Sequence, residues 1–396
     1  MEHRTRNRSP ACGERVRGGS FPASFAIALT TVATLLALPA VAAEKGRTLG
    51  YVISNFRHAA FDGDAATDCP DGFNIGQKEI FLSPRPAAER ERLLRKENAA
   101  ELNQYIYNAA RINGSPRVNR CMQPTEYPDP GLKTLVGKTA LGMDLDGGDT
   151  SATAAPGTCK HQNFAGPNGE TGIDNQHWRA LGCIRMYRRE QDVHKTAVSA
   201  IRNGEMGLVM EITDVQDAKN DPDVTVGLYS TTDPLPTDGA GNPVTAGSLG
   251  VHDDQRFHNH LKGRIENGVL TTEPGDIRLQ LRMGPVDTWL WFRAARLKIE
   301  LEKDSAKGML AGYADIEQLY SFNSQGTVDG GVVGGYTCAG IYGALHRLAD
   351  GFADPETGIC QAISTAWELT AVRGYVIHPD VAADASAGAV QVAKSK

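Results

Sequence analysis

Three aspartates are crowded into six residues of a loop-rich segment, where their carboxylates could bind a cation. Asp144, Asp146 and Asp149 lie in a stretch rich in Gly, Asn and Thr, and Asp174 and Asn175 follow further along it. Hard cations take several oxygen ligands from such loops, at about 2.3–2.6 Å. The sequence therefore predicts a calcium site formed by these five residues.

The same stretch also has an interpretation without any ion. Gly, Asp and Asn form turns through their own backbone and side-chain preferences. Asp174 is suited to cap the helix that the sequence NQHWRAL predicts from Asn175 onward. The spacing also departs from the EF-hand pattern, which requires Gly at the sixth loop position. A bound cation and a set of turn and cap residues both remain open.

Two tryptophans are candidates for ligand binding. Trp289 and Trp291 belong to a predicted strand, so that alternation places both side chains on one face. Such a pair can form a platform on which sugar rings stack, or it can pack in the core. We assign Trp289 and Trp291 as candidate ligand-binding residues.

Carboxylates at the end of the same strand are candidates for acid–base chemistry. Glu300, Glu302 and Asp304 share a face if the strand continues. Glycosidases hold two carboxylates about 5–9.5 Å apart across the scissile bond. However, Lys298 lies on that face too and apolar residues lie on the other, which is the pattern of an ordinary half-buried strand.

Histidines form the remaining group of candidate ligands and bases. His258 and His260 are spaced so that both can bind one transition metal on an extended backbone. The residues available to complete that shell are His252, Asp253 and Asp254. His161 and His177 lie beside the acidic stretch and are candidates for a general base.

The first 43 residues have the pattern of a secretory signal peptide. Five arginines precede an apolar run that ends in the small residues Val41, Ala42 and Ala43. The alternative is an uncleaved membrane anchor. We expect an exported protein, whether periplasmic, cell-surface or secreted, with no membrane span after cleavage.

Charge and cysteine content narrow the classes of partner. The chain has a net charge of −6, and residues 1–43 carry five Arg against two Glu, so the remainder is more acidic still. This excludes the basic face that a nucleic-acid partner requires. Six cysteines follow Cys12, and an even number in an exported chain predicts three disulfides. Sequence neighbours are the simplest pairing, namely 69–121, 159–183 and 338–360.

The secondary-structure pattern predicts a mainly β protein with peripheral helices, an α+β chain with a disulfide-stapled antiparallel β-sandwich or jelly-roll core. Short alternating segments and an Asn267-Gly268 turn between two of them are typical of hairpins. The predicted regions are the signal peptide at 1–43, an N-terminal strand, helix and loops at 44–143, the acidic loop region and a helix at 144–204, a β-rich core at 205–322, a C-terminal helical hairpin at 336–377, and a disordered tail at 378–396.

These observations lead to two hypotheses of function. The sequence contains no GxSxG elbow, HExxH, P-loop or dinucleotide fingerprint. The first hypothesis is therefore an exported non-catalytic protein that binds an extracellular or cell-envelope ligand, such as a glycan, with a calcium-ordered loop. The alternative is a secreted hydrolase or lyase that acts on an extracellular polymer such as a polysaccharide.

Overall fold

A single antiparallel sheet that closes on itself organises the chain from Arg47 to Ile377. The computed structural model describes residues 46–75, 77–109, 120–126, 131–148, 159–283, 286–325 and 338–379. The predicted signal peptide and nearly all of the predicted tail lie outside the described residues. Within those ranges, we found no helix with both the length and the apolar content to cross a membrane.

Eleven strands form the sheet, and most of them are the alternating segments of the sequence. Their bounds are β1 Arg47–His58, β2 Gly207–Val215, β3 Asp221–Thr231, β4 Gly247–Gly250, β5 His258–Glu266, β6 Val269–Thr272, β7 Gly275–Met283, β8 Val286–Leu301, β9 Ser305–Asp315, β10 Gly351–Ala353 and β11 Cys360–Ile377. The predicted hairpin is confirmed, because Asn267 and Gly268 both have positive φ between β5 and β6. Gly268 accepts that backbone conformation without steric cost.

The sheet is a closed eight-stranded barrel, so the predicted sandwich or jelly roll is wrong. Antiparallel pairing runs through β1, β2, β3, β5, β6, β8, β9 and β11, and β11 pairs in turn with β1. Strands β4, β7 and β10 are additions that pair with β11 or β8. Closure satisfies the hydrogen-bonding edges that two open sheets would leave. Short alternating strands fit a sandwich and a barrel equally, and only the long-range pairing of the first strand with the last decides between them.

The inward faces of the strands form one continuous core. Along β11, Ile363, Trp367 and Leu369 are buried on the same face. Trp367 stacks on Phe56 with ring centroids 4.8 Å apart and meets Phe292 edge-on at 6.0 Å. Aromatic contacts of this kind across three strands fix the register of the barrel wall.

Helices cover the barrel and its ends. Their bounds are α1 Ala65–Asp68, α2 Gln77–Leu82, α3 Ala87–Leu94, α4 Ala99–Ala109, α5 Gln176–Leu181, α6 Asp192–Arg202, α7 Ile316–Gln325 and α8 Cys338–Leu348. The predicted helix after Pro86 forms as α3 and α4, with a short 3₁₀ turn at Lys96–Asn98 between them. The predicted C-terminal helical hairpin is wrong, because only α8 is helical and the second arm is β11.

Three disulfides staple the fold, but none joins the predicted sequence neighbours. The observed pairs are Cys69–Cys183, Cys121–Cys338 and Cys159–Cys360. Each joins cysteines more than a hundred residues apart in sequence. A closed barrel brings distant loops together, so nearness in sequence is a poor guide to pairing.

Peptide mapping without reduction should find these three long-range pairs in the folded protein. Replacing Cys159 and Cys360 together by alanine should lower the free energy of unfolding by about 2–4 kcal/mol, because the cross-link restricts the unfolded chain. Denaturant unfolding of the oxidised protein and the double variant measures this. Linked peptides containing Cys69 and Cys121 would contradict the pairing.

Candidate functional site

Three of the five predicted calcium ligands come together on the outer wall of the barrel. One carboxylate oxygen from each of Asp144, Asp146 and Asp174 lies within 4.8 Å of the other two. Oxygens bound to one Ca²⁺ at about 2.5 Å are separated by up to about 5 Å, so the spacing suits a shared ion. We refer to these three residues as the acidic site.

Backbone pairing between two loop segments builds the acidic site. Asp174 N donates to Met143 O at 2.9 Å, and an isolated β-bridge joins the same two residues. The carboxylate of Asp174 accepts from Leu145 N at 2.8 Å and from Asn163 Nδ2 at 2.5 Å. The buried aspartate is therefore held rigidly below the two exposed ones.

The two exposed aspartates lie on either side of an apolar anchor. Leu145 is buried, whereas Asp144 and Asp146 on either side of it are exposed. Leu145 packs in a cluster with Ala311 and Ala366 on the outer barrel wall. One oxygen of each exposed carboxylate accepts a backbone N–H of the following turn at 2.7 Å, which leaves the other oxygen available to a cation.

The structure does not add the remaining predicted ligands to this group. Asn175 is the N-cap of α5, where its Oδ1 accepts from Trp178 N at 3.1 Å. Its Nδ2 donates to Leu141 O at 2.8 Å. The expectation that Asp174 caps this helix is wrong, since Asn175 does so. Asp149 lies outside the described residues.

The acidic site holds several carboxylates close together, and one of them, Asp174, is buried. Burial raises the pKa of Asp174 to about 6, and the charges of Asp146 and Asp144 raise it further. Burial likewise raises the pKa of Asp350 to about 7, with a contribution from Asp174. Asp350 Oδ1 accepts from Ser364 N at 2.6 Å, which fixes it beside the barrel wall.

Two further side chains, which no sequence motif identifies, lie beside these carboxylates. Burial raises the pKa of the Tyr313 phenol, and the charges of Asp350, Asp174 and Asp146 act in the same direction. Arg296 Nη1 donates to Asp144 O at 2.9 Å and so ties the loop to β8. Only the register of β8 and β9 reveals that Arg296, Tyr313 and the acidic loop meet.

The predicted tryptophan pair does share one face, but arginines lie over its rings. Trp289 and Trp291 are half-buried on β8. The Arg278 guanidinium lies 5.8 and 5.2 Å from their ring centroids, and Arg293 lies 5.0 Å from that of Trp291. Arg293 also lies 3.6 Å from the ring centroid of Phe352. We call Trp289, Arg278, Trp291, Arg293 and Phe352 the arginine–aromatic row.

The candidate catalytic carboxylates are engaged in ion pairs on the surface. Lys307 Nζ lies 3.1 Å from Glu300 and 3.7 Å from Glu302. Glu300 lines a groove of about 420 Å³ between the barrel wall and the loop carrying Met143 and Glu170. The groove holds lysines as well as glutamates, so Glu300 is not placed as one half of an isolated acid–base couple.

The predicted histidine ligands lie beside one tyrosine ring. His258 Nε2 contacts the backbone carbonyl of His252 at 2.5 Å, and the rings of His258 and His260 both meet Tyr229 edge-on. Among the described residues, the acidic site is the one group of three or more metal-binding side chains that converges. The His258–His260 pair is not brought together with a third ligand there.

The two candidate bases beside the acidic stretch, His177 and His161, are buried and half-buried respectively. His177 is buried, with Nδ1 3.0 Å from Thr365 Oγ1, and burial lowers its pKa to about 3. The ring of His177 lies against that of His58. His161 Nε2 contacts Ala349 O at 3.1 Å.

Replacing Asp350 by Asn should raise the free energy of unfolding, and the increase over the original protein should grow as the pH rises. A carboxyl with a raised folded-state pKa binds more protons in the folded than in the unfolded protein between about pH 4 and 7, so its contribution to stability falls across that range. The amide removes this loss while keeping an acceptor for Ser364. We expect the stability difference from the original protein to be near zero at pH 4 and to reach a few kcal/mol at pH 8.

Denaturant unfolding at several pH values, in the presence of chelator, measures that difference. Asp354→Asn is the matched control, because turn hydrogen bonds to Thr357 lower the pKa of Asp354 and its contribution is lost only in acid. If Asp350→Asn changed the free energy of unfolding by the same amount at every pH, the raised pKa of Asp350 would be contradicted.

Comparisons of the chain with protein-family models, with curated proteins and with solved structures gave no match. The acidic site and the arginine–aromatic row are the two features of the described residues with distinctive chemistry. Both lie on the outer surface of the barrel, on or against β8 and β9.

Proposed function

We propose that this protein is an exported, non-catalytic binding protein whose acidic loop is ordered by a calcium ion. The observation that carries the proposal is the convergence of Asp144, Asp146 and Asp174 within 4.8 Å. Without a cation, three carboxylates at this spacing repel one another, and the charges of Asp146 and Asp144 add to burial in raising the pKa of Asp174. A divalent cation would convert this repulsion into attraction.

The donor set favours calcium over other metals. All three convergent side chains offer oxygen, whereas zinc and copper sites in proteins use histidine or cysteine. Two ligands come from a loop with Gly147 at positive φ, and such flexible loops suit calcium better than magnesium, which demands near-ideal octahedral geometry. Backbone carbonyls and water would complete the shell.

Export is supported by the disulfides, and a binding role by the positions of the candidate catalytic residues. Three disulfides are consistent with an oxidising compartment outside the cytosol. The exposed Glu300 is paired with Lys307, and His177 is buried. Neither is placed to transfer protons to a substrate at the acidic site, which supports binding over hydrolysis or elimination.

Millimolar Ca²⁺ should raise the melting temperature, and a chelator should lower it. A ligand that binds only the folded state stabilises by RT ln(1 + [L]/Kd), about 2.7 kcal/mol at a hundredfold excess over Kd. Asp144→Asn and Asp146→Asn keep the turn hydrogen bonds but remove charge, so each should lose most of the calcium response. The response should also shrink at pH 5, where Asp174 is mostly protonated.

Calorimetric melts of these variants are compared with Asp238→Asn. Asp238 is a matched control because its Oδ1 accepts two backbone N–H groups of its own turn, from Ala240 and Asn242. It should keep the full calcium response. Identical melts of the original protein in calcium and in chelator would refute the cation site.

A further inference from the structure

The guanidinium groups of the arginine–aromatic row have no carboxylate partner among the described residues. Arg278 and Arg293 form no ion pair there, although both lie against Trp291. Five other arginines are paired with acids, namely Arg57, Arg188, Arg189, Arg256 and Arg264. Two positive charges are thus held between aromatic rings with their hydrogen-bonding capacity unused.

We propose that the arginine–aromatic row binds an acidic polysaccharide, a chain of sugars that bear carboxylates. Indole faces and edges accept the apolar side of a sugar ring. A guanidinium presents a planar fork that fits a carboxylate with two parallel hydrogen bonds, which a lysine cannot reproduce. The row supplies both kinds of contact in alternation. This inference names the ligand class of the proposed binding function and rests on it.

The row is laid out along a line, as an extended polymer requires. Trp289, Trp291 and Arg293 occupy every second position of β8, so their side chains follow one another at about 7 Å intervals on one face. Arg278 is directly opposite Trp291 on β7. Phe352, from β10, extends the row beyond Arg293.

Two strained backbone positions hold this arrangement. Ala294 and Phe352 have φ of +48° and +54°, in the left-handed region that non-glycine residues rarely adopt. Ala294 lies where the register of β8 against β9 shifts, a bulge that re-aims the preceding Arg293. Strain of this kind concentrates at binding sites because the surrounding structure must be organised to support it.

A single aspartate supports both the bulge and an indole. Asp276 Oδ1 accepts from Ala294 N at 3.3 Å, and its Oδ2 accepts from Trp291 Nε1 at 3.1 Å. The indole N–H is therefore satisfied within the protein, and the ring is fixed in orientation. A prearranged stacking surface loses little conformational entropy when a ligand binds.

The row leads to the acidic site. Arg293 pairs across the sheet with Tyr313, and Tyr313 pairs with Ser364, which donates to Asp350. The ring of Tyr313 meets that of Phe352 edge-on at 5.6 Å. A calcium ion at the acidic site would neutralise most of the carboxylate charge at this end of the row, where a carboxylated ligand would otherwise meet repulsion.

Isothermal titration of the full chain with a short oligogalacturonide, in buffer containing Ca²⁺, tests the ligand class. We expect saturable binding that weakens with salt, and no binding of an uncharged cello-oligosaccharide of equal length. Arg293→Lys and Arg278→Lys keep the charge but lose the planar fork, so each should weaken binding about tenfold, the loss expected for one charge-assisted hydrogen bond. The matched control is Arg264→Lys, an exposed arginine on β5 paired with Glu266, which should bind normally.

Three outcomes would overturn the inference: no binding of the oligogalacturonide, equal binding of the neutral oligosaccharide, or unchanged affinity in both row variants. Melting temperatures of the variants show whether the fold survives. A calcium-dependent melt that persists while oligogalacturonide binding fails would leave the cation site standing and reject the ligand class alone. Shortening of the oligogalacturonide during the titration would support the ligand class and overturn the non-catalytic function.

Discussion

Pairing between the first strand and the last is the interaction on which the rest of the structure depends. Residues 367–373 of β11 pair with β1 on one side, and residues 362–372 pair with β9 on the other. Without that pairing the sheet would have two free edges and no enclosed core. It also aligns the outward residues of β8, β9 and β11, and these form the platform on which the acidic loop and the arginine–aromatic row are placed.

The side chains that face outward differ along the barrel wall, and so different parts of the wall have different properties. Where Ala311 and Ala366 face outward, small side chains let the loop with Leu145 pack closely, and the acidic site follows from that contact. A few residues along the same strands, Arg293 and Tyr313 face outward instead. Inward positions of these strands are mostly apolar, with Thr365 as an exception, so the proposed binding chemistry lies on the outer face and most of the core packing on the inner one.

Local sequence patterns predict turns and other local structure. They do not predict contacts between residues that are far apart in the chain. The Asn267-Gly268 turn and the pair Asp144 and Asp146 depend on neighbours in the chain and can be recognised there, whereas Asp174 joins the pair through its bridge to Met143. The predicted helical hairpin at 336–377 includes β11, whose Ala, Glu and Leu residues favour helices, while its strand is imposed by pairing on both sides. Barrel closure, the disulfide pairs and the approach of Tyr313 and Asp350 to the acidic loop depend on register, which no single segment specifies.

Charge explains why the acidic site and the row should act together. A cluster of carboxylates alone repels an acidic ligand, and two stacked arginines alone leave that repulsion uncompensated at one end. Burial of Asp350 already limits the negative charge near neutral pH, because its pKa is raised to about 7. A bound divalent cation would neutralise most of the charge of the acidic site. The arginines of the row would then meet little opposing negative charge at that end, as a carboxylated sugar chain bound along the row requires.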